Sequence, residues 1–147
     1  MDLRPELLPP PVGRKRLDEL RDEVERIAEL LETDLVAAGE AIVGFNAMTG
    51  HEYVALDFAE YDGSRSLEDF AREAARPARP MVADVTRGEL AEIVRRLLLA
   101  DPESDYYLRL LQANAPHPQV GELVFHSPGA SAEQIVNEAL KYRAIAL

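Results

Sequence analysis

The sequence predicts a mainly α-helical protein whose first half also carries a β-hairpin. Three observations lead there. Apolar residues recur at helical steps over residues 16–35 and again beyond residue 86, and capping residues open several of these stretches. Between them, a stretch beginning at Glu40 alternates with a period of two.

Residues 1–15 read as a flexible tail, because Pro9-Pro10-Pro11 and the basic triplet starting at Arg14 offer nothing to pack. Leu17, Leu20, Val24, Ile27 and Leu31 then repeat at alternating steps of three and four with charges between them, which predicts a helix over residues 16–35. The same spacing suits a coiled-coil seam for a homodimer, although barely two heptads are present.

From Glu40, Ile42, Val43 and Phe45 precede Thr49-Gly50, and Tyr53, Val54, Leu56 and Phe58 follow it. This pattern predicts two strands turning at Met48-Thr49-Gly50-His51, with Val54, Leu56 and Phe58 on one face. Asp62-Gly63 marks a turn, and Ser66 caps a short helix whose inner face is Phe70, Ala71 and Ala74. Pro77 and Pro80 end that helix, so residues 16–76 form an α+β extension and residues 77–85 a linker.

Beyond the linker, Thr86 and Glu89 have the spacing of a capping box, in which each side chain satisfies an orphan amide near the other. Leu90, Ile93, Val94, Leu97 and Leu98 supply the apolar face of the helix that follows. Asp101-Pro102 suits an N-cap and first helical position for a second helix filled by Tyr107, Leu108, Leu110 and Leu111. Ser131 and Gln134 open a last helix with Ile135, Val136, Ala139 and Leu140 inward.

Composition narrows function. The chain has 147 residues, and 27 acids against 16 bases give a net charge of -11, the wrong sign for steering toward nucleic acid and the right one for a basic protein partner. Cysteine is absent, which removes disulfides, thiol catalysis and thiolate metal sites. No apolar run is long enough to span a bilayer, and the N-terminus lacks a secretory signal pattern, so a soluble cytoplasmic protein is expected. His51, His117 and His126 are dispersed without a ligand-like spacing, and no phosphate loop, serine elbow or dinucleotide fingerprint is present. His117 before Pro118 reads as a helix terminator, and Asp57, Glu60 and Asp62 as a solvated face near a turn. No enzyme, cofactor or metal site is expected.

The remaining signal lies at Glu122-Leu123-Val124-Phe125-His126, an acid, two aliphatics and two rings in succession after His117-Pro118. Together with Thr86, Glu89, the Val94 region, Ala100-Asp101, Ile135-Val136-Asn137 and Tyr142-Arg143-Ala144, in that order, this stretch resembles the immunity proteins of nuclease-type colicins and pyocins. The resemblance covers residues 86–147 and implies an antiparallel four-helix bundle with a short third helix. His126 stands where the family usually has tyrosine, and Ser127 delays the following proline by one position.

The resemblance also implies a function: binding a cognate toxin's basic nuclease domain beside its active site, tightly and without catalysis. The third helix would supply shared binding energy through Glu122, Val124, Phe125 and His126. The second helix would set specificity through Asp105, Leu108 and Gln112. Phe125 is expected to face outward and Leu123 inward. Residues 86–147 carry 8 acids and 6 bases, whereas residues 1–85 carry 19 and 10, so most of the acidity lies outside the resembling segment. The alternative is an interaction module or homodimer with the same bundle and no toxin-inhibiting role.

Overall fold

In the computed structural model, which describes residues 2–60 and 66–141, the chain divides into two compact units. One is Pro10–Ala78; the other joins Met1–Pro9 to Arg79–Leu147. Among the described residues the regular elements are helical, with no strand. The expected turn at Asp62-Gly63 and the motif Tyr142-Arg143-Ala144 lie outside the described residues.

The first unit is built on α1 (Arg14–Thr33), which packs against α2 (Leu35–Thr49), α3 (Ala55–Glu60) and α4 (Leu67–Ala75). Leu17, Leu20, Val24 and Ile27 are buried here against Phe45, Phe58 and Phe70. The expected coiled-coil seam is therefore an internal one, already covered within its own unit. Phe45, Tyr53, Phe58 and Phe70 form an aromatic cluster with centroid separations from 5.0 to 6.5 Å, in tilted and edge-on geometries that suit ring quadrupoles.

The expected hairpin is replaced by α2 and α3, and the reason is visible locally. Ala38, Ala41, Ile42 and Phe45 fall at i, i+3, i+4 and i+7, so the inner face is helical once its alanines are counted as apolar. Thr49-Gly50 is a helix stop: Gly50, at φ 77°, donates its amide to the Asn46 carbonyl. Asp34 caps the start, accepting from the Ala37 amide at 3.1 Å. After the stop, Asn46 holds Tyr53 by bonding both its amide and its carbonyl at 2.9 Å, and the Asp57 carboxylate accepts from the Val54 amide. Phe58 is buried, but Val54 and Leu56 are exposed, contrary to a shared strand face. α4 forms as expected, with Ser66 accepting from the Asp69 amide and Phe70, Ala71 and Ala74 inward.

The second unit holds α5 (Arg87–Leu98), α6 (Ser104–Asn114), α7 (Val120–Phe125) and α8 (Ala132–Lys141) around one core. α5 packs against both α6 and α8, and the short α7 touches all three. The capping box at Thr86 and Glu89 is present in both directions, as is the reciprocal pair of Ser131 and Gln134. α5 ends in a Schellman turn, with Ala100 donating to Leu97 and Asp101 to Arg96. Leu98, expected inward, is half exposed at the edge of that turn.

α6 starts two residues later than expected. Asp101 does not cap it directly; its carboxylate accepts from the Glu103 amide at 2.8 Å, forming a side-chain turn before the helix, whose N-cap is Glu103.

Residues 2–9 are not a free tail. Leu3 and Leu7 are buried in the α5–α8 core, and Pro5–Leu7 forms one 3-10 turn. The Arg4 guanidinium meets the Glu89 carboxylate at 2.6 and 3.2 Å and reaches the Ala83 carbonyl. Nor is the expected linker at residues 77–85 loose: Val82 and Val85 pack on the core, and Asn114 bonds the Val82 amide and the Pro80 carbonyl at 2.9 Å each. The α5–α8 core is thus closed by two segments whose sequence, rich in proline and charge, disguises them.

Candidate interaction surface

α7 is the shortest α-helix of the second unit because its boundaries are fixed within ten residues. His117 Nδ1 accepts from the Gln119 amide at 3.0 Å just before it, and the His126 amide closes it on the Glu122 carbonyl at 2.8 Å. His117 therefore organises the start of α7 rather than the end of α6, which stops at Asn114. Val120 and Val124 are buried on the inner side, with Leu123 partly buried against the same core. This leaves Gly121, Glu122, Phe125 and His126 for the outer side.

Gly121 lies where α7 meets α6. A Cβ added there would stand 3.4 Å from Leu108 Cδ1 and 3.7 Å from Gln112 Nε2, ordinary van der Waals contact that an alanine methyl could make. Leu108 and Gln112 of α6 thereby face Glu122, Phe125 and His126 of α7 across a groove of about 600 Å³, with Pro118 and Gln119 at one end. The Phe125 ring is 56% exposed, a large apolar group in water beside polar neighbours.

The Glu122 carboxylate and His126 Nε2 lie 3.3 Å apart, both exposed, so polar atoms stand beside Phe125. A contact so exposed contributes little to stability, which leaves both groups available to another protein at small cost. Tyr107, in the first turn of α6, is held to α5: Arg96 donates to its hydroxyl at 2.7 Å and to the Glu92 carboxylate at 3.0 Å. Arg95 meets Glu133, and Arg87 meets Asn137, joining α5 to α8.

Five of the seven expected contact residues, Leu108, Gln112, Glu122, Phe125 and His126, thus line one groove. Asp105 is exposed one turn before Leu108 on α6 and does not line it. Val124 is corrected: it is a core residue, because Val120 and Val124 lie at i and i+4 on the inner face of α7, while Phe125, one position on, turns off that face. Gly121, Pro118 and Gln119, which also line the groove, were not anticipated. Among the described residues no three His, Asp or Glu side chains converge as metal ligands, and no helix is long and apolar enough to cross a membrane.

Residues 82–145 match the model of the family described as colicin immunity protein / pyocin immunity protein. The match spans α5 to α8 and includes the Val82 and Val85 contacts that precede α5. The chain is also similar to the uncharacterized protein YezA of Bacillus subtilis (strain 168), at 38% identity over 63 residues, which is 40% of this chain and 93% of that protein. No solved structure matches. The four helices around one core, the short third helix carrying Glu122 to His126, and the extent of both matches agree: through its C-terminal segment, the chain belongs to the colicin and pyocin immunity protein family.

Proposed function

We propose that this protein is a stoichiometric, non-catalytic inhibitor of the nuclease domain of a cognate bacteriocin or polymorphic toxin, acting in the cytoplasm of the producing cell. The observation that carries this reading is the exposed Phe125 ring at the lip of the α6–α7 groove, with Glu122 and His126 beside it. An aromatic anchor buries large area at little rotamer cost, and truncating such a residue typically loses about 2 kcal/mol or more of binding. Leu108 and Gln112 give the groove a wall whose shape and hydrogen bonding can differ between relatives, which suits specificity. The nuclease partner is basic because its substrate is a polyanion, and a chain of net charge -11 attracts it at long range. Inhibition then follows from steric and electrostatic exclusion of nucleic acid.

The test is a binding titration between this protein and the nuclease domain of the proposed cognate toxin. A one-to-one complex, weakened roughly 30-fold by Phe125→Ala with no change in melting temperature, is the expected result. Equal affinity for parent and variant would remove Phe125 from the interface and the reading with it.

A further inference from the structure

We propose that the α6–α7 groove is a proton-sensitive docking site, in which protonation of His126 weakens the hold on a basic partner. This rests on the function proposed above and adds the condition under which the complex loosens. His126 Nε2 and the Glu122 carboxylate stand 3.3 Å apart at positions i and i+4 of α7, both reached by water and both lining the groove beside Phe125. Imidazole is the side chain that gains its charge near neutral pH, a range through which a carboxylate stays ionised. A neutral His126 leaves the Glu122 charge for an incoming lysine or arginine. Once protonated, His126 pairs with Glu122 and sets a positive charge where a basic partner must dock. The partner then meets a neutralised carboxylate and a like charge, and like charges placed together across an interface oppose binding.

The surroundings do not offset this change. Among the described residues that line the groove, Glu122 and His126 are the titratable ones, and the facing wall from α6 is the uncharged pair Leu108 and Gln112. α6 also carries Asp105, exposed one turn before Leu108, and Arg109, whose guanidinium carbon lies 5.9 Å from the centroid of the Tyr106 ring. The charges of α5 and α8 are held outside the groove: Arg87 by Asn137, Glu89 by Arg4, Arg95 by Glu133, Arg96 by Glu92 and Lys141 by Glu138. His117, ahead of α7, has its Nδ1 engaged by the Gln119 amide and does not line the groove. A single proton at His126 therefore takes the groove from the charge of a carboxylate to none.

The test is affinity for the nuclease domain of the proposed cognate toxin at about pH 8 and about pH 5.5, measured for the parent and for His126→Gln, which stays polar and cannot take up the proton. The same nuclease serves both, so its own titration drops out of the comparison. On going to the lower pH the parent is expected to lose about tenfold more affinity than the variant, as release of one proton on binding requires, with its helical circular dichroism unchanged. His126→Lys, which fixes the positive charge, is expected to bind weakly at both pH values. Equal losses for the parent and His126→Gln overturn this inference alone, as does a parent that binds more tightly in acid or whose affinity falls together with its helical signal. Absence of binding by the parent at about pH 8 overturns the proposed function itself, and this inference with it.

Discussion

The Arg4 guanidinium grips the Glu89 carboxylate at 2.6 Å across 85 positions of sequence, in a unit whose core also buries Leu3 and Leu7. That bond holds the Glu89 carboxyl below the usual carboxylate range, helped by the Thr86 amide, with burial opposing both. A group lowered on folding contributes stability above its unfolded value, here 4.5, and loses it as pH falls through the depressed folded value. Arg4→Ala is therefore expected to lower the melting temperature at neutral pH, and the gap from the parent to close as pH drops below 4.5. A calorimetric series in pH checks this; a gap that persists in acid would mean that Arg4 acts through packing alone.

Val124 and Phe125 are neighbours with opposite fates, and substituting each separates fold from recognition. Val124→Ala leaves a cavity in the α5–α8 core and is expected to cost about 2 kcal/mol. Phe125→Ala removes a ring from water and is expected to change stability by less than about 0.5 kcal/mol. Chemical denaturation of the two variants distinguishes them.

Ala100 sits at φ 55° in the Schellman turn after α5, a conformation that costs an L-residue about 1–2 kcal/mol and that glycine adopts freely. Part of the gain is offset by the greater freedom of glycine in the unfolded chain. Ala100→Gly is expected to stabilise the protein by up to about 1 kcal/mol without affecting partner binding. A lower melting temperature would show that the Ala100 methyl makes a contact worth more than the strain.

Val24 is fully buried between α1 and its neighbours, so Val24→Asp is expected to unfold the first unit rather than to dissociate a dimer. Loss of the circular dichroism of α1 to α4 would meet that expectation. A folded variant of halved mass would restore the seam to an intermolecular role.

What could be read directly from the sequence was whatever depends on neighbours along the chain. The capping pairs Thr86 with Glu89 and Ser131 with Gln134, and the inner faces of α1, α4, α5 and α8, follow from spacing of three and four, whereas the outward Phe125 was implied by the family resemblance. α2 was misread because Ala38 and Ala41 complete its inner stripe, and because β-branched Ile42 and Val43 followed by Thr49-Gly50 imitate a strand and turn. The strap at residues 2–9 was hidden for a different reason: two leucines among prolines show no period, and only distant residues give them a place to bury. The groove needed the third dimension too, since Leu108 and Gly121 meet only after the chain reverses between α6 and α7. The family resemblance located α7 correctly, yet it could not say that Val124 turns inward.

Phosphate and salt conditions give a further expectation for Glu122. As an exposed carboxylate at the groove, it is expected, on the proposed function, to act on encounter more than on the final complex. Glu122→Gln is expected to slow association with the nuclease several-fold at low salt and to make the rate less sensitive to added salt. Stopped-flow measurement across ionic strength checks it, and an unchanged salt dependence would place the steering charges elsewhere.

On the proposed function, the α6–α7 surface silences a nuclease. The most direct measurement is DNA and RNA cleavage by the nuclease domain of the proposed cognate toxin while this protein is added in increasing amounts. Cleavage that stops at one equivalent, and persists at one equivalent of the Phe125→Ala variant under conditions dilute enough to expose the weakened binding, is the expected result. Full cleavage in the presence of excess parent protein would contradict it.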